Sequence, residues 1–186
     1  MKVKTLMGVF PVIFITVVVF ASVGLVTWTD SITRDKIEEQ EKQQIQNMLE
    51  EMFPSMSRTE PALTNLDEFK DNIYTVYSNG DKVGYAFIAL GKGYGGEIDI
   101  LVGLEDETTV KGVTIISHLE SPGLGARVTE SSFRDQFAGL NIDDVVLKRD
   151  GGQIDAITGA TISSGAVVDA IRATVMEKVK SLENRE

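Results

Sequence analysis

Ile73-Tyr-Thr-Val-Tyr-Ser-Asn-Gly-Asp-Lys-Val-Gly-Tyr-Ala-Phe-Ile-Ala-Leu90 decides the fold. Residues 73–78 and 82–90 are β-branched and aromatic runs, with Asn79-Gly80-Asp81 between them. Asn and Gly tolerate positive φ, which a tight hairpin turn requires if its twist is to match that of the strands. A second pair follows: residues 97–104 (EIDILVGL) and 109–116 (TVKGVTII), joined by the acidic turn Glu105 to Thr108. Sequential strands with short turns form an antiparallel meander, because parallel neighbours would need a crossover of a dozen or more residues.

Toward the C-terminus, residues 129–139 (TESSFRDQFAG) read as a short helix capped by Thr129 or Ser131, with Phe133 and Phe137 facing inward. Residues 142–148 (IDDVVLK) and 153–157 (QIDAI) read as strands around the turn Asp150-Gly151-Gly152. From about Ser164 to Leu182, Val167, Val168, Ile171, Val175, Val179 and Leu182 recur at helical spacing. The expected class is α+β, a curled antiparallel sheet flanked by helices.

Toward the N-terminus, Leu6 to Trp28 is an uncharged apolar run of 23 residues. As a helix it would reach roughly 34 Å, enough to cross a bilayer. Lys2 and Lys4 precede it, and Asp30, Arg34 and Asp35 follow without basic excess. The positive-inside rule then puts the N-terminus in the cytoplasm and the bulk of the chain outside. A cleaved leader ending near Val19-Phe20-Ala21 is the competing reading, but the apolar run continues past that point to Trp28, an interfacial anchor. Between Ser31 and Phe53, Ile37, Ile45, Met48, Leu49, Met52 and Phe53 make a narrow helical stripe that Pro54 ends, read as a stalk that then packs on the domain or, more plainly, as a simple spacer. Pro54 to Asn65 reads as a linker. The division expected is an anchor at 1–30, a helical stalk and linker at 31–65, and a globular domain at 66–186.

Composition narrows the chemistry. The chain has no cysteine and one histidine, His118. Disulfides, thiolate iron–sulfur ligation and cysteine nucleophiles are excluded, and no zinc or haem site is expected. Any redox cofactor must be organic or belong to a partner. Formal charge is −10, and Lys2 and Lys4 are the only charges before Asp30, so the remainder carries −12. Such a surface repels nucleic acid.

Three stretches could carry function. Gly91-Lys-Gly-Tyr-Gly-Gly96 superficially resembles a nucleotide loop, but a strand follows it and not a helix, so a nicotinamide site is not expected. Its glycines would bend the sheet or let a flat ligand lie against backbone. In Ser117-His-Leu-Glu-Ser-Pro-Gly-Leu-Gly125, Pro122-Gly123 sets a tight turn that presents Leu124 as a platform for a planar ring. His118 and Glu120 share a strand face without a nucleophile or metal partner, so a hydrolytic role is not expected of them. In Asp155-Ala-Ile-Thr-Gly-Ala-Thr161-Ile-Ser-Ser-Gly165, a strand-like run breaks through small residues into a helix, where unpaired amides and the helix dipole favour an anion. The plainer reading is a turn with Ser163 or Ser164 as N-cap.

The glycine turn before a strand, the H-x-E-[ST]-P-G-L-G loop and the D-x-x-[ST]-G-A-T element, in that order over about residues 66–182, resemble the FMN-binding domain that carries covalent flavin. Leu119 and Ser121 depart from the lysine-like and threonine residues frequent in that loop. With one N-terminal apolar run, the chain is most similar to the G subunits of Rnf electron-transport complexes. The C subunits of sodium-translocating NADH:quinone reductases are their siblings. The resemblance implies an electron-relay subunit of a membrane-bound ion-translocating ferredoxin:NAD oxidoreductase, without a substrate site of its own. FMN would be esterified to Thr161 by a separate flavin transferase. Ser121, Pro122, Gly123 and Leu124 would line the isoalloxazine, Thr158, Gly159 and Ala160 with Thr161 would hold the phosphate, and Glu120 and Gly125 would belong to the cofactor-binding set. Apart from the resemblance, Lys148, on the strand before the attachment hairpin, is expected near the flavin or its phosphate, the plainer reading being a solvated edge lysine. The expected place is the cytoplasmic membrane, single-pass, with the flavin domain outside and other subunits as partners. Alternatives are a flavin subunit of the quinone reductase, a stand-alone extracellular reductase, or a membrane-anchored interaction domain without flavin.

Overall fold

The computed structural model describes residues 2–60 and 73–183, without the side chains of residues 2–11, 30–35, 38, 58–60 and 178–183. The chain divides into two compact units, Met1–Glu41 and Lys42–Glu186. Helix α1, Lys2–Met52, supplies all the described backbone of the first unit. Within it Val12–Thr29 is long and apolar enough to cross a membrane, and its side chains, Phe14, Phe20 and Trp28 among them, are exposed. An isolated apolar surface of that kind is stable only in lipid or against a partner. The part of the expected span before Val12 lies outside the described side chains.

The second unit is built on a five-stranded antiparallel sheet in sequential order: β1 Arg58–Glu60, β2 Tyr74–Ser78, β3 Asp81–Lys92, β4 Glu97–Leu104 and β5 Val110–His118. The β2–β3 hairpin turns through Asn79 (φ 51°) and Gly80 (φ 96°), both left-handed as the Asn-Gly pair demands. β1 falls in the stretch read as linker. Arg58–Glu60 pairs with Thr75–Tyr77, an edge contact of three residues with no hydrophobic alternation to announce it.

Alternation sorts the sheet residues to two faces. Tyr85, Phe87 and Ala89 of β3 and Ile98, Ile100, Val102 and Leu104 of β4 point to a core shared with helix α3, Thr161–Glu183. Val167, Val168, Ile171 and Val175 bury themselves there as expected; Val179 and Leu182 lie outside the described side chains. A β-carbon at Gly91 would come within 2.9 Å of Ala166 O, so the glycine lets α3 press directly on β3. Ala86, Ile88 and Leu101 point the other way, onto Ile45, Leu49 and Phe53 at the end of α1. Gly84 and Gly103 leave the hollow that the Phe53 ring fills, since a β-carbon at either would come within 3 Å of that ring. The end of the stripe read as a stalk therefore packs on the sheet, within the compact unit that begins at Lys42.

Two expectations between β5 and α3 fail. The helix expected over 129–139 is three short pieces: a 3-10 turn at Gly125–Thr129, the single α-turn α2 at Ser131–Arg134, and a 3-10 turn at Asp135–Phe137. Glu130 stands at the cap of α2 and no side chain caps it. Phe133 and Phe137 do face inward, packed edge to face at 5.4 Å. The strands expected at 142–148 and 153–157 are absent. Only isolated bridges remain, Thr109 with Asn141 and Leu147 with Ile154, and Lys148–Asp150 is a 3-10 turn. Ile142, Val145, Leu147 and Ile154 are buried but irregularly spaced, and the backbone bonds are those of turns, such as Asp144 N–H to Asn141 O and Val146 N–H to Asp144 O.

Candidate functional site

The three motif stretches meet at one pocket of about 450 Å³. The β3–β4 turn contributes Tyr94. The loop after β5 contributes Glu120, Ser121, Leu124 and Gly125. Gly159 to Ser163, at the start of α3, supply the rest. The wall is mostly apolar, and its mouth carries exposed large side chains: Tyr94, Leu124 and Ile162.

Each wall is fixed by local chemistry. In the loop, Pro122 and Gly123 (φ 79°) occupy the centre of a turn whose Ser121 carbonyl accepts from Leu124 N–H at 3.4 Å and Ala126 N–H at 3.2 Å. Leu124 stands on that turn half exposed, as the sequence implied. At the helix mouth, Gly159 adopts φ 82°, and a β-carbon there would sit 3.1 Å from Leu124 Cδ2. The two motifs thus touch through a glycine that nothing larger can replace without strain. The approach to this turn is held by Gln136, whose amide oxygen accepts from Asp155 N–H at 2.7 Å and whose amide nitrogen donates to Asp155 O at 3.4 Å.

α3 begins at Thr161, three residues before the expected start, so Ser163 and Ser164 are inside its first turn and cap nothing from outside. Ser164 Oγ instead accepts from Ile157 N–H at 3.0 Å and donates to Ala160 O at 2.9 Å, pinning the turn to the helix. Ser164 N–H to Ala160 O, 2.9 Å, is the first helical bond, and the amides of Thr161, Ile162 and Ser163 precede it without an intrahelical acceptor. Thr161 is half-buried on the pocket wall, and its hydroxyl has no hydrogen-bond partner among the described residues.

Glu120 is the residue whose place the sequence revealed least. It is 6% exposed. Oε1 accepts from Gly95 N–H at 2.9 Å and Oε2 from Ser163 Oγ–H at 2.6 Å, tying the glycine turn to the first turn of α3. A β-carbon at Gly93 or Gly125 would displace the Glu120 carboxylate from where it sits, and at Gly95 it would collide with the backbone at Leu119 O. The glycines of the 91–96 turn thus admit a carboxylate and a neighbouring backbone. His118 is not paired with the Glu120 carboxylate; its Nδ1 accepts from Glu120 N–H at 3.2 Å.

Not every expected residue reaches the pocket. Lys148 lies on a 3-10 turn and pairs with Asp155 at 2.5 Å, both side chains more than half exposed. It is not part of the pocket wall, and neither are Pro122, Gly123 and Thr158, which shape the turns behind it. Conversely Tyr94, Ile162 and Ser163 line the pocket without having been singled out as ligand contacts. A tyrosine inside a glycine run, where no core position exists to hold it, was the available signal for the first.

A family profile described as FMN-binding domain matches residues 93–176, and one described as RnfG N-terminal region matches residues 14–52. The G subunit of the ion-translocating oxidoreductase complex of Methanosarcina acetivorans is 34% identical over 171 residues, covering 88% of this chain and 91% of its own length. Its namesake from Aliivibrio fischeri is 34% identical over 173 residues, covering 83% of this chain and 82% of its own. Among solved structures, the C subunit of the Na+-translocating NADH-quinone reductase of Parabacteroides distasonis is similar, at 24% identity and a TM-score of 0.49. That likeness covers 57% of this chain and 61% of the other.

Proposed function

Because the chain belongs to the family of G subunits of ion-translocating oxidoreductase complexes, we propose that its pocket holds FMN esterified through its phosphate to Thr161, and that the protein relays electrons within such a complex. The observation that carries this is Thr161 itself: an unengaged hydroxyl on the wall of an apolar pocket, at the first position of a 23-residue helix. The donor set suits a phosphodiester, since the amides of 161–163 and the positive end of the helix dipole favour an anion. The rest of the wall suits a planar ring, with Leu124 raised on its turn and Tyr94 at the mouth.

FMN would supply the capacity to take up and pass on electrons, which no side chain of this cysteine-free chain offers. The chain's own residues hold and orient. Leu124 and Gly159 set the width of the pocket, Gln136 fixes the approach through Asp155, and Ser164 locks the turn that presents Thr161. A threonine hydroxyl needs a base to become a nucleophile. The carboxylate on the wall, Glu120, already accepts from Gly95 and Ser163, so attachment by a separate flavin transferase fits better than self-attachment. The apolar helix anchors the chain in the membrane. Lys2 and Lys4 ahead of it, with no basic excess behind, favour a cytoplasmic N-terminus and a flavin domain on the outer side.

Intact mass and in-gel flavin fluorescence after co-expression with a flavin transferase test the proposal. Wild type should gain one FMN less water, as the Thr161 Oγ–phosphorus bond replaces the hydroxyl proton. Thr161→Ala should lose both mass and fluorescence completely, and an unmodified wild type would sink the assignment.

A further inference from the structure

Resting on that reading, we propose that Glu120 sets the reduction potential of the pocket: its carboxylate is a fixed negative charge that makes the bound flavin harder to reduce. Among the described residues lining the pocket, Glu120 is the only one with a charged side chain. The cation expected near the flavin, Lys148, lies off the wall and is taken up by Asp155. No described lysine or arginine pairs with Glu120, whose oxygens are met by one backbone amide and one hydroxyl. Those donors and the start of α3 hold the charge in place without cancelling it, and burial keeps water from screening it.

The consequence follows from charge alone. An electron delivered by a one-electron carrier of the assembly adds one negative charge to the flavin unless a proton accompanies it. A carboxylate on the same wall opposes that addition, and because Glu120 is itself buried the opposition is stronger than from a carboxylate on the surface. The low potential would serve a protein that must pass electrons on, and it is built from the residue that also clasps the glycine turn to α3. A purely structural clasp would leave the potential unchanged when an isosteric, hydrogen-bonding side chain replaces it.

The test is an electrode titration of the full-length, flavinylated protein in detergent, with Glu120→Gln against wild type, after mass spectrometry confirms the flavin on both. Glutamine keeps an acceptor for Gly95 N–H and removes the charge. The midpoint should move to a more positive value, by at least a tenfold change in the oxidised-to-reduced ratio at fixed potential, about 60 mV for a one-electron couple. An unchanged or more negative midpoint overturns the proposal. Should Glu120→Gln not fold or not accept flavin, redox-difference infrared spectroscopy of wild type with 13C-labelled glutamate gives the answer without a variant. A glutamate carboxylate band that shifts on flavin reduction supports the charge coupling, and its absence overturns it. A wild type that carries no flavin would instead sink the assignment of FMN to Thr161, and this proposal with it.

Discussion

The two faces of one sheet are closed by different means. On the first, Ile45, Leu49 and Phe53 lie over Ala86, Ile88 and Leu101, and the Phe53 ring fills the hollow above Gly84 and Gly103. That contact is apolar and tightly packed. On the second, α3 buries Val167, Val168, Ile171 and Val175 against the strands, and its first turn, with the loops at 94 and 120–125, lines a pocket with a buried carboxylate on its wall. The sheet therefore carries a closed apolar contact on one face, and on the other the helix whose first turn lines the candidate site. The difference lies in what the glycines admit: an aromatic ring at Gly84 and Gly103, and a carboxylate at Gly93 and Gly125.

Substitutions on each face should break the comparison in opposite ways. The largest loss of stability is expected from Phe53→Ala, about 3–5 kcal/mol for emptying a buried aromatic site. Denaturant unfolding of the detergent-solubilised chain should record it, while the molecules still folded keep their flavin. If Phe53→Ala instead strips flavin and leaves stability intact, the division of labour between the faces is wrong. Gly93→Ala should reverse the pattern. Overpacking against Glu120 costs about 1–3 kcal/mol, but the yield of covalent flavin should fall further than the melting temperature, read by fluorescence per folded protein.

The smallest effect belongs to neither face. In the β4–β5 turn, the backbone N–H bond from Thr108 above all, joined by that of Thr109 and by both hydroxyls, holds the Asp106 carboxyl below its usual range against opposing desolvation. A group depressed in the folded state lends stability above its unfolded pKa and loses it as pH falls through the folded one. Unfolding followed from pH 6 down to pH 2 should therefore show a slight excess loss in wild type over Asp106→Asn, confined to the acid end. Equal slopes would mean the turn is held by its backbone alone.

Legibility in the sequence followed the range of the interactions. The β2–β3 hairpin was readable because Asn79 and Gly80 fix their own turn and strand alternation fixes the faces. The stripe Ile45, Leu49 and Phe53 was readable as a helix face, but its burial on the sheet depends on residues more than thirty positions away. Residues 142–157 misled because valine and isoleucine favour strands, whereas here buried anchors at irregular spacing are joined by turns. In the site, Leu124 on its Pro-Gly turn and Thr161 at the start of α3 are local devices, each set by the few residues around it. Glu120 is bonded to residues 25 positions before it and 43 after it, pairings that no local pattern announces.

One consequence concerns how such a sequence can change. Gly93, Gly95 and Gly125 have no space for a methyl group, and at two of them the obstacle is the Glu120 carboxylate. A single replacement at Gly95 meets backbone, whereas one at Gly93 or Gly125 must displace the Glu120 carboxylate from its hydrogen bonds. Shortening Glu120 opens room beside Gly93 and Gly125 but leaves Gly95 N–H and Ser163 Oγ without their acceptor. Gly93, Gly95, Glu120 and Gly125, from two loops, therefore behave as one inherited character, in which a change at one position calls for a change at another.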